Sequence, residues 1–299
     1  MENTLSPNLT AFIAHHNSKN PLIIPENTSE IRTCVTSPPY WGLRDYGSDE
    51  QLGQEPSHLD FISNLVGVFE NVKDVLAKDG TLWVNIGDTY VGTGHKGNWV
   101  DPKNHKGRNG QSIALNNKVE GLKPKDMIGI PWKFAFAMQE AGWYLRSDII
   151  WEKPNAMPSP VTDRPVSSYE HVFLFSKNRK YFYDWEAVQE DTRDGSGKKR
   201  RQRDVWRINT TPFKGAHFAV FPEELVRSCI LAGSQEGDTV LDIFSGSGTT
   251  GIAALKNNRN YIGIEANEEY VKLSQERIDS SVHCDFKRNW EAKNDHLFS

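Results

Sequence analysis

Cysteine, long apolar runs and a targeting segment are scarce or missing in this sequence. The three cysteines, Cys34, Cys229 and Cys284, are too few and too widely spaced for a disulfide framework or a zinc site. We therefore predict no metal site and a reducing compartment, the cytoplasm. No apolar stretch reaches the length of about 20 residues that a membrane span needs, and the start, MENTLSPNLTAF, lacks the features of a signal peptide. We expect no contact with a membrane.

A surplus of positive charge is missing too, because 35 basic residues face 39 acidic ones and the formal net charge is −4. Basic residues are concentrated in two polar segments, 91–125 and 193–207, each of which holds seven basic and two acidic residues. Such runs are often solvated loops, but contact with phosphate groups requires the same residues. The distribution of charge, rather than its sum, leaves nucleic-acid binding open.

The segment Ser37-Pro38-Pro39-Tyr40 follows a short strand that we predict at 31–36. Two consecutive prolines fix two φ angles and remove two backbone donors, so the segment is stiff and cannot pair as a central strand. Its carbonyl groups stay available to other donors. With a hydroxyl before the prolines and an aromatic ring after them, the segment can hold a flat ring that carries an amino group. A simple Pro-Pro turn is the alternative interpretation.

A second motif, TVLDIFSGSGTTGIAAL (239–255), is typical of a strand, a tight turn and a helix. Gly246 and Gly248 let the backbone approach a ligand, and the helix N-terminus offers free N–H groups. Glu265, seventeen residues after Gly248, ends a further predicted strand and suits ribose hydroxyls. Asp242 opposes a pyrophosphate and favours a ligand with an ammonium or sulfonium group, such as S-adenosyl-L-methionine. A strand–turn–helix unit without a ligand is the alternative.

The two motifs together resemble those of the amino-group DNA methyltransferases, which methylate the exocyclic nitrogen of cytosine or adenine. The signature S/D/N-P-P-Y/F/W is matched by Ser37 to Tyr40, and F-x-G-x-G is matched by Phe244, Gly246 and Gly248. The motif order is that of the permuted β group, and the resemblance extends over about residues 30–280. A leading serine is more typical of cytosine-N4 enzymes, whereas adenine enzymes more often begin with Asp.

The resemblance implies a site-specific enzyme of restriction-modification systems, which transfers a methyl group from S-adenosyl-L-methionine to the N4 amine of a cytosine flipped out of duplex DNA. It implies a cognate restriction endonuclease as a candidate partner, and we expect a monomer or a weak homodimer. The implied catalytic residues are Ser37, Pro38, Pro39 and Tyr40. The implied cofactor-binding residues are Thr36, Phe218, Pro222, Asp242, Phe244, Gly246, Gly248, Thr249, Thr250, Glu265 and Asn267. The expected DNA-binding residues are Arg44, Lys198, Lys199, Arg200, Arg201 and Arg203.

Several alternatives stay open at this point. The same chemistry on adenine-N6 is one, and an RNA methylase or a non-catalytic cofactor-binding protein is another. A nucleotide-dependent oxidoreductase would leave the S-P-P-Y segment and the basic segments unexplained. Carbon-5 cytosine methylation needs a nucleophilic Cys, normally after a Pro, and none of the three cysteines follows a Pro.

One departure from the family concerns the cofactor adenine. Many permuted relatives carry a Gly-Asp pair about 20 residues before the catalytic motif, where it contacts the adenine. The corresponding segment here, IAHHNSKN (13–20), has no acidic residue. His15, His16 or Asn17 are candidates to replace it, unless another segment contacts the adenine.

The pattern of apolar residues predicts alternating strands and helices and, with the β–α–β unit at 239–264, a doubly wound, mostly parallel α/β sheet of the Rossmann-like methyltransferase type. Helices are predicted at 57–77, 131–142, 221–233, 250–256 and 267–278, and further strands at 81–88, 143–153 and 170–177, the last two as an antiparallel edge hairpin. We expect residues 1–30 to wrap the surface, a mobile loop at 91–123 and irregular structure at 178–216. The predicted organisation is a catalytic part at 1–177, a small target-recognition insertion at 178–216 and the cofactor-binding part of the same domain at 217–299.

Overall fold

The architecture is a computed structural model that describes residues 9–42, 51–92, 119–159, 161–192, 196–211 and 221–282. The described strands are β1 Ala11–His15, β2 Ile31–Thr36, β3 Thr81–Ile86, β4 Tyr144–Glu152, β5 Tyr169–Ser176, β6 Gln189–Asp191, β7 Lys199–Arg201, β8 Val205–Arg207, β9 Thr239–Asp242 and β10 Asn260–Glu265. The described helices are α1 His58–Val75, α2 Ile130–Glu140, α3 Glu223–Gly233, α4 Thr249–Lys256 and α5 Glu268–Ser281. Most of the predicted loop at 91–123 lies outside these residues.

Eight strands form one sheet in the order β1-β10-β9-β2-β3-β5-β4-β8. The first five strands are parallel to one another. Strand β5 is antiparallel to both β3 and β4, and β8 is parallel to β4. The prediction of a doubly wound, mostly parallel sheet with an antiparallel pair is confirmed, although the pair lies one strand in from the edge because β8 covers β4.

Helices cover both faces of the sheet because the strands alternate their apolar side chains. In β3, the buried Leu82 and Val84 pack with α1 and α2 on one face, while Trp83 packs with α3 on the other. The antiparallel pair continues this alternation, with Phe173 on the first face and Leu174 on the second. The sheet is therefore packed between two apolar layers, one on each face.

Two expectations for the segments around this sheet were wrong. Residues 11–15 do not only wrap the surface, since β1 pairs with β10 as a parallel edge strand. The segment 178–216 is not wholly irregular, because β6 and β7 form an antiparallel hairpin and β8 extends the main sheet. These strands are too short to show a period in the sequence, and only pairing with distant residues makes them regular.

Strand β2 is held in place at its amino end by Arg32. Its guanidinium donates to Asp79 over 2.6 Å and to Asp238 over 2.8 Å, and it also pairs with Glu30. Asp79 and Asp238 precede β3 and β9, the two strands that flank β2. The amino end of β2 is therefore tied to both of its neighbours.

Candidate active site

The S-P-P-Y segment leaves the carboxyl end of β2 beside the turn that leaves the carboxyl end of β9. Strands β2 and β9 are adjacent and parallel, so both motifs lie on one rim of the sheet. Thr36, the last residue of β2, donates its hydroxyl to a carboxylate oxygen of Asp242 over 2.6 Å. The structure thus joins two motifs that are about 200 residues apart in the sequence.

Asp242 is almost completely buried, with 1% of its surface exposed. Its second carboxylate oxygen accepts the hydroxyl of Thr250 in α4 over 2.6 Å, and the backbone N–H of Phe244 donates to the first. Burial raises the pKa of Asp242 to about 6, although these three hydrogen bonds oppose the shift. Asp242 therefore connects β2, β9 and α4 from inside, and direct contact of Asp242, Thr36 or Thr250 with a cofactor stays a prediction.

The glycine turn between β9 and α4 offers space for a ligand at one glycine and none at the other. Both have positive φ, +50° at Gly246 and +78° at Gly248. A Cβ at Gly248 would lie 2.8 Å from the Cβ of Ser274 in α5, whereas among the described residues a Cβ at Gly246 would meet only the Phe244 carbonyl oxygen, at 3.8 Å. Gly248 serves close packing, and Gly246 leaves the backbone open to the rim.

Ser247, between the two glycines, was not singled out from the sequence. Its hydroxyl is buried and has no hydrogen-bond partner within the described part of the chain, a state that is costly unless a ligand or water supplies a partner. Helix α4 begins at Thr249, so the N–H groups of its first turn face the same region. An open glycine, an unpartnered hydroxyl and a helix N-terminus together fit a polar cofactor.

Glu265 ends β10 on the same rim. One of its carboxylate oxygens accepts the N–H of Gly246 over 2.8 Å, and the other accepts the N–H of Asn267 over 2.9 Å. Burial raises the pKa of Glu265, while the N–H donors oppose the shift. The register of β1 sets His15 opposite Glu265, and the His15 ring hydrogen-bonds the carbonyl of Ala266. The segment 13–20 therefore reaches the rim beside Glu265.

The other predicted cofactor residues have structural contacts of their own. Asn267 caps α5 by accepting the N–H of Glu269 over 2.9 Å, and Pro222 is the N-cap residue of α3. Phe244 packs against the core while half-buried, and Thr249 opens α4. Phe218 lies outside the described residues, as does Arg44 of the predicted DNA contacts.

Tyr40 is held on two sides. Its ring lies against Gly87, where an added Cβ would come within 2.8 Å of the Tyr40 Cε2 atom. Its hydroxyl donates to Glu170 Oε2 over 2.7 Å. Asn85 Nδ2 donates to the same Glu170 oxygen over 3.0 Å, and the ammonium of Lys153 pairs with the other oxygen.

Ser37 supplies the hydroxyl that precedes the prolines of the S-P-P-Y motif. Ser37 is half-buried and Pro38 is buried. Within the described residues, the Ser37 hydroxyl has no hydrogen-bond partner. Trp41, by contrast, is buried and donates its ring N–H to the carbonyl of Glu55 over 2.9 Å. The loop therefore buries Trp41 in the core and leaves Ser37 half-buried beside Pro38.

The predicted DNA-binding residues Lys198, Lys199, Arg200, Arg201 and Arg203 lie on or beside the hairpin of β6 and β7. Three of them are paired with its acidic residues. Lys199 pairs with Asp191, and Arg200 and Arg203 share Glu190.

Two basic residues of this hairpin differ from the other three. Arg201 stacks on the ring of Trp185 at 4.7 Å, and the Lys198 ammonium has no ion pair within the described ranges. The hairpin therefore carries net positive charge, although most of its cations are internally paired.

Thiol and metal chemistry find no support in the described residues. Cys34 and Cys229 are buried, and burial raises the pKa of both thiols, so neither is a ready nucleophile. No group of three or more His, Cys, Asp or Glu side chains among the described residues is arranged to hold a metal ion. No helix in those ranges is long and apolar enough to cross a membrane.

Besides Ser247, three residues of this rim escaped the reasoning from sequence, namely Asn85, Lys153 and Glu170. Asn85 offered a signal, because it is a buried polar residue in the otherwise apolar run TLWVNI. Glu170 stands second in β5 and Lys153 follows β4 directly. The antiparallel pairing of β4 with β5 was predicted, but not its register or the pairing of β5 with β3, and these bring Glu170 to Lys153 and Asn85.

The sequence of this chain matches a family of known proteins. A family model of DNA methylases matches residues 31–276. The chain is 54% identical over 252 residues to the type II methyltransferase M.Cfr9I of Citrobacter freundii, with 84% of this chain and 82% of that protein covered. It is 52% identical over 252 residues to the type II methyltransferase M.SmaI of Serratia marcescens, with coverages of 84% and 85%.

Solved structures agree on the fold. The PvuII DNA methyltransferase, described as cytosine-N4-specific, superposes with a TM-score of 0.63 at 21% identity, covering 92% of this chain and 90% of that one. A DNA modification methylase of Thermus thermophilus, solved with S-adenosyl-L-methionine, gives a TM-score of 0.58 at 21% identity, covering 92% and 95%.

Proposed function

This chain belongs to the DNA methylase family and is a site-specific type II DNA methyltransferase that uses S-adenosyl-L-methionine, and we propose that it methylates the N4 amine of a cytosine flipped out of duplex DNA. The observation that carries the proposal is the contact of Thr36 with Asp242. It sets the S-P-P-Y segment next to the glycine turn, and a target base held by the first motif and a methyl donor held by the second would meet on one rim.

The proposed chemistry needs hydrogen-bond acceptors for the target amine. Its nitrogen is a poor nucleophile because its lone pair is conjugated with the ring. The Ser37 hydroxyl and the Pro38 carbonyl would accept hydrogen bonds from the two N–H groups of the amine. These bonds would draw the nitrogen toward tetrahedral geometry and direct its lone pair toward the cofactor. S-adenosyl-L-methionine supplies the electrophilic methyl group.

The same two acceptors would stabilise the positive charge that develops on nitrogen. The rigid proline backbone keeps them oriented without a rearrangement during the reaction. Tyr40 would stack on the flipped base. No strong base is required if the proton leaves the amine after the transfer.

The choice of cytosine rests on Ser37, because a leading serine is more typical of cytosine-N4 enzymes. Adenine-N6 is the alternative target, since the family contains both activities. The proposed roles of the predicted site residues follow from their place on the rim. Gly246, Glu265 and the first turn of α4 would hold the cofactor, with Ser247 added to the predicted set.

Two further proposals concern partners. The net positive charge of the β6–β7 hairpin supports contact with the phosphates of duplex DNA. The resemblance to type II methyltransferases supports a cognate restriction endonuclease that acts on the same DNA site.

The test is methylation of plasmid DNA with purified enzyme and S-adenosyl-L-methionine, followed by nucleoside mass spectrometry and modification-aware sequencing. We expect N4-methylcytosine at one short sequence. N6-methyladenine would overturn the choice of base, and unmodified DNA would overturn the proposal. Reactions without the cofactor and with duplex RNA in place of DNA serve as controls.

A further inference from the structure

A largely buried polar network lies behind the S-P-P-Y segment, centred on Glu170. Both carboxylate oxygens are engaged: Oε2 accepts the hydroxyl of Tyr40 over 2.7 Å and the amide of Asn85 over 3.0 Å, and Oε1 accepts the ammonium of Lys153. The side chains of Glu170 and Lys153 are 19% and 18% exposed. The carboxylate is thus held by three donors from three different segments of the chain.

The partners of Glu170 are themselves fixed. Asn85 is 5% exposed and also donates to the carbonyl of His171 over 3.2 Å. The Lys153 ammonium lies 4.4 Å from the centre of the Trp151 ring. A carboxylate anchored in this way keeps a constant position, so the Tyr40 hydroxyl that donates to it keeps one as well.

Contacts at the hydroxyl and at the ring constrain the orientation of Tyr40. The hydroxyl donates to Glu170 over 2.7 Å, with Asn85 Oδ1 also at 3.4 Å, and one side of the ring meets the backbone at Gly87, which has no room for a side chain. The angle that the ring presents to a stacked base is therefore set from both ends of the side chain. Stacking on an aromatic side chain helps to hold a base outside the helix, and its strength depends on the angle of the ring.

We propose that Glu170 is a positioning residue that acts through the hydroxyl of Tyr40 to set the ring for stacking on the flipped target base. Lys153 balances the charge of Glu170 and so offsets part of the cost of burying the carboxylate. The inference rests on the proposed function, in which Tyr40 is the stacking residue. It adds the requirement that the last residue of the motif carries a hydroxyl. The family signature also allows phenylalanine there, and phenylalanine could not donate a hydrogen bond to Glu170.

The test compares Glu170→Gln, Tyr40→Phe and the double variant with wild type. Each is assayed for kcat, for KM and for the fluorescence of a duplex with 2-aminopurine at the methylated position, which rises when the base leaves the stack. We expect each single variant to lower kcat/KM and the fluorescence gain about tenfold, the effect of one hydrogen bond to a charged group. We expect the double variant to lose no more than either single one.

A matched control is Glu30→Gln, which removes another cation-paired carboxylate beyond the opposite end of β2, while Arg32 keeps two partners. This variant should flip the base and methylate it like wild type. The affinity for S-adenosyl-L-methionine should be unchanged in all variants. If Glu170→Gln proves too unstable, Lys153→Met combined with Glu170→Gln removes both charges and should still lose base flipping.

The outcomes separate the inference from the proposed function. Equal flipping and kcat/KM in Glu170→Gln and Glu30→Gln would overturn the positioning role, and so would multiplicative losses in the double variant. A lower melting temperature with normal flipping would show a merely structural role and would overturn it too. A wild-type enzyme that methylates no DNA would instead overturn the proposed function.

Discussion

The active-site rim has two halves that treat buried carboxylates in opposite ways. In the cofactor half, at the ends of β9 and β10, Asp242 and Glu265 accept hydrogen bonds from neutral hydroxyl and N–H groups, and burial raises the pKa of both. In the base half, at the end of β2 and the start of β5, Glu170 pairs with the cation of Lys153. No cation pairs with Asp242 or Glu265 within the described residues.

The difference matches what each half is proposed to bind. S-adenosyl-L-methionine carries an ammonium and a sulfonium, so it would be attracted to a half with unbalanced negative charge. The target base is neutral, so the half proposed to bind it would gain from balanced charge and fixed geometry. Under this proposal, charge organises the cofactor half and orientation organises the base half. Substitutions in each half, and in the β6–β7 hairpin outside the rim, test this contrast.

The largest effect is expected in the base half from Ser37→Ala. Loss of one hydrogen-bond acceptor for the target amine should lower kcat by about 10²- to 10³-fold, as for other preorganised hydrogen-bonding groups in active sites. Affinity for S-adenosyl-L-methionine, measured by calorimetry, should stay at the wild-type value. Ser29→Ala, before the opposite end of β2, is the control and should leave kcat unchanged. A wild-type rate in Ser37→Ala would exclude the proposed mechanism.

The next effect lies in the glycine turn of the cofactor half. Gly248→Ala should lower the free energy of unfolding by about 3 kcal/mol, because it combines a strained positive φ with a clash against Ser274. Gly246→Ala is the matched variant, with about 1 kcal/mol of strain and no clash. It should instead weaken cofactor binding. Denaturant unfolding and calorimetry measure both, and equal stability losses would contradict the open space at Gly246.

A pH-dependent effect is expected from Asp242. Because its pKa is about 6 in the folded protein and near 3.8 when unfolded, the native state holds the proton more tightly between these values. Stability should therefore be greatest below about pH 4 for this group and fall as the pH rises through 6, by up to about 3 kcal/mol. Asp242→Asn should remove this dependence in unfolding curves recorded from pH 4 to 7.

Thr250→Val offers the control for Asp242. It removes one donor to the carboxylate and keeps the carboxylate itself, so the fall in stability should persist and extend to higher pH. Identical pH profiles for wild type and Asp242→Asn would show that Asp242 does not titrate in this range.

The smallest effect is expected outside the rim, in the β6–β7 hairpin. Lys198→Ala removes a cation without an ion pair in the described ranges and should reduce the slope of log affinity for DNA against log salt by about one. Lys199→Ala removes a cation already paired with Asp191 and should change the slope less. Fluorescence anisotropy at several salt concentrations measures both slopes, and equal changes would remove the distinction.

The two motifs on the rim were easier to predict from the sequence than the residues packed behind them. Ser37-Pro38-Pro39-Tyr40 and the turn from Phe244 to Thr249 carry local signals, since prolines and glycines restrict the backbone wherever they occur. The longer helices and strands also had clear apolar periods, and α1 and β3 were predicted within two residues of their observed ends. The adjacency of the two motifs followed from the rule that parallel strands share a carboxyl rim.

The parts that could not be predicted depend on contacts between distant residues. Strand β1 is regular because it pairs with β10, about 250 residues away. Glu170 reaches Tyr40 and Lys153 only because β5 lies between β3 and β4. The internal pairing of Arg200 and Arg203 with Glu190 depends on the register of β6 with β7. A count of basic residues alone could not show which cations are already paired.

Strand β2 is clamped at both ends, by Arg32 at the start and by the Thr36–Asp242 hydrogen bond at the finish. A strand fixed at both ends cannot slide along its own axis, so the distance from Ser37 to the glycine turn stays constant. Misplacement by about 1 Å can cost a factor of about 100 in rate. Under the proposed mechanism, a base of a different size would have to bring its amine to the same distance from Ser37, and the enzyme would select its target by the position of the amine.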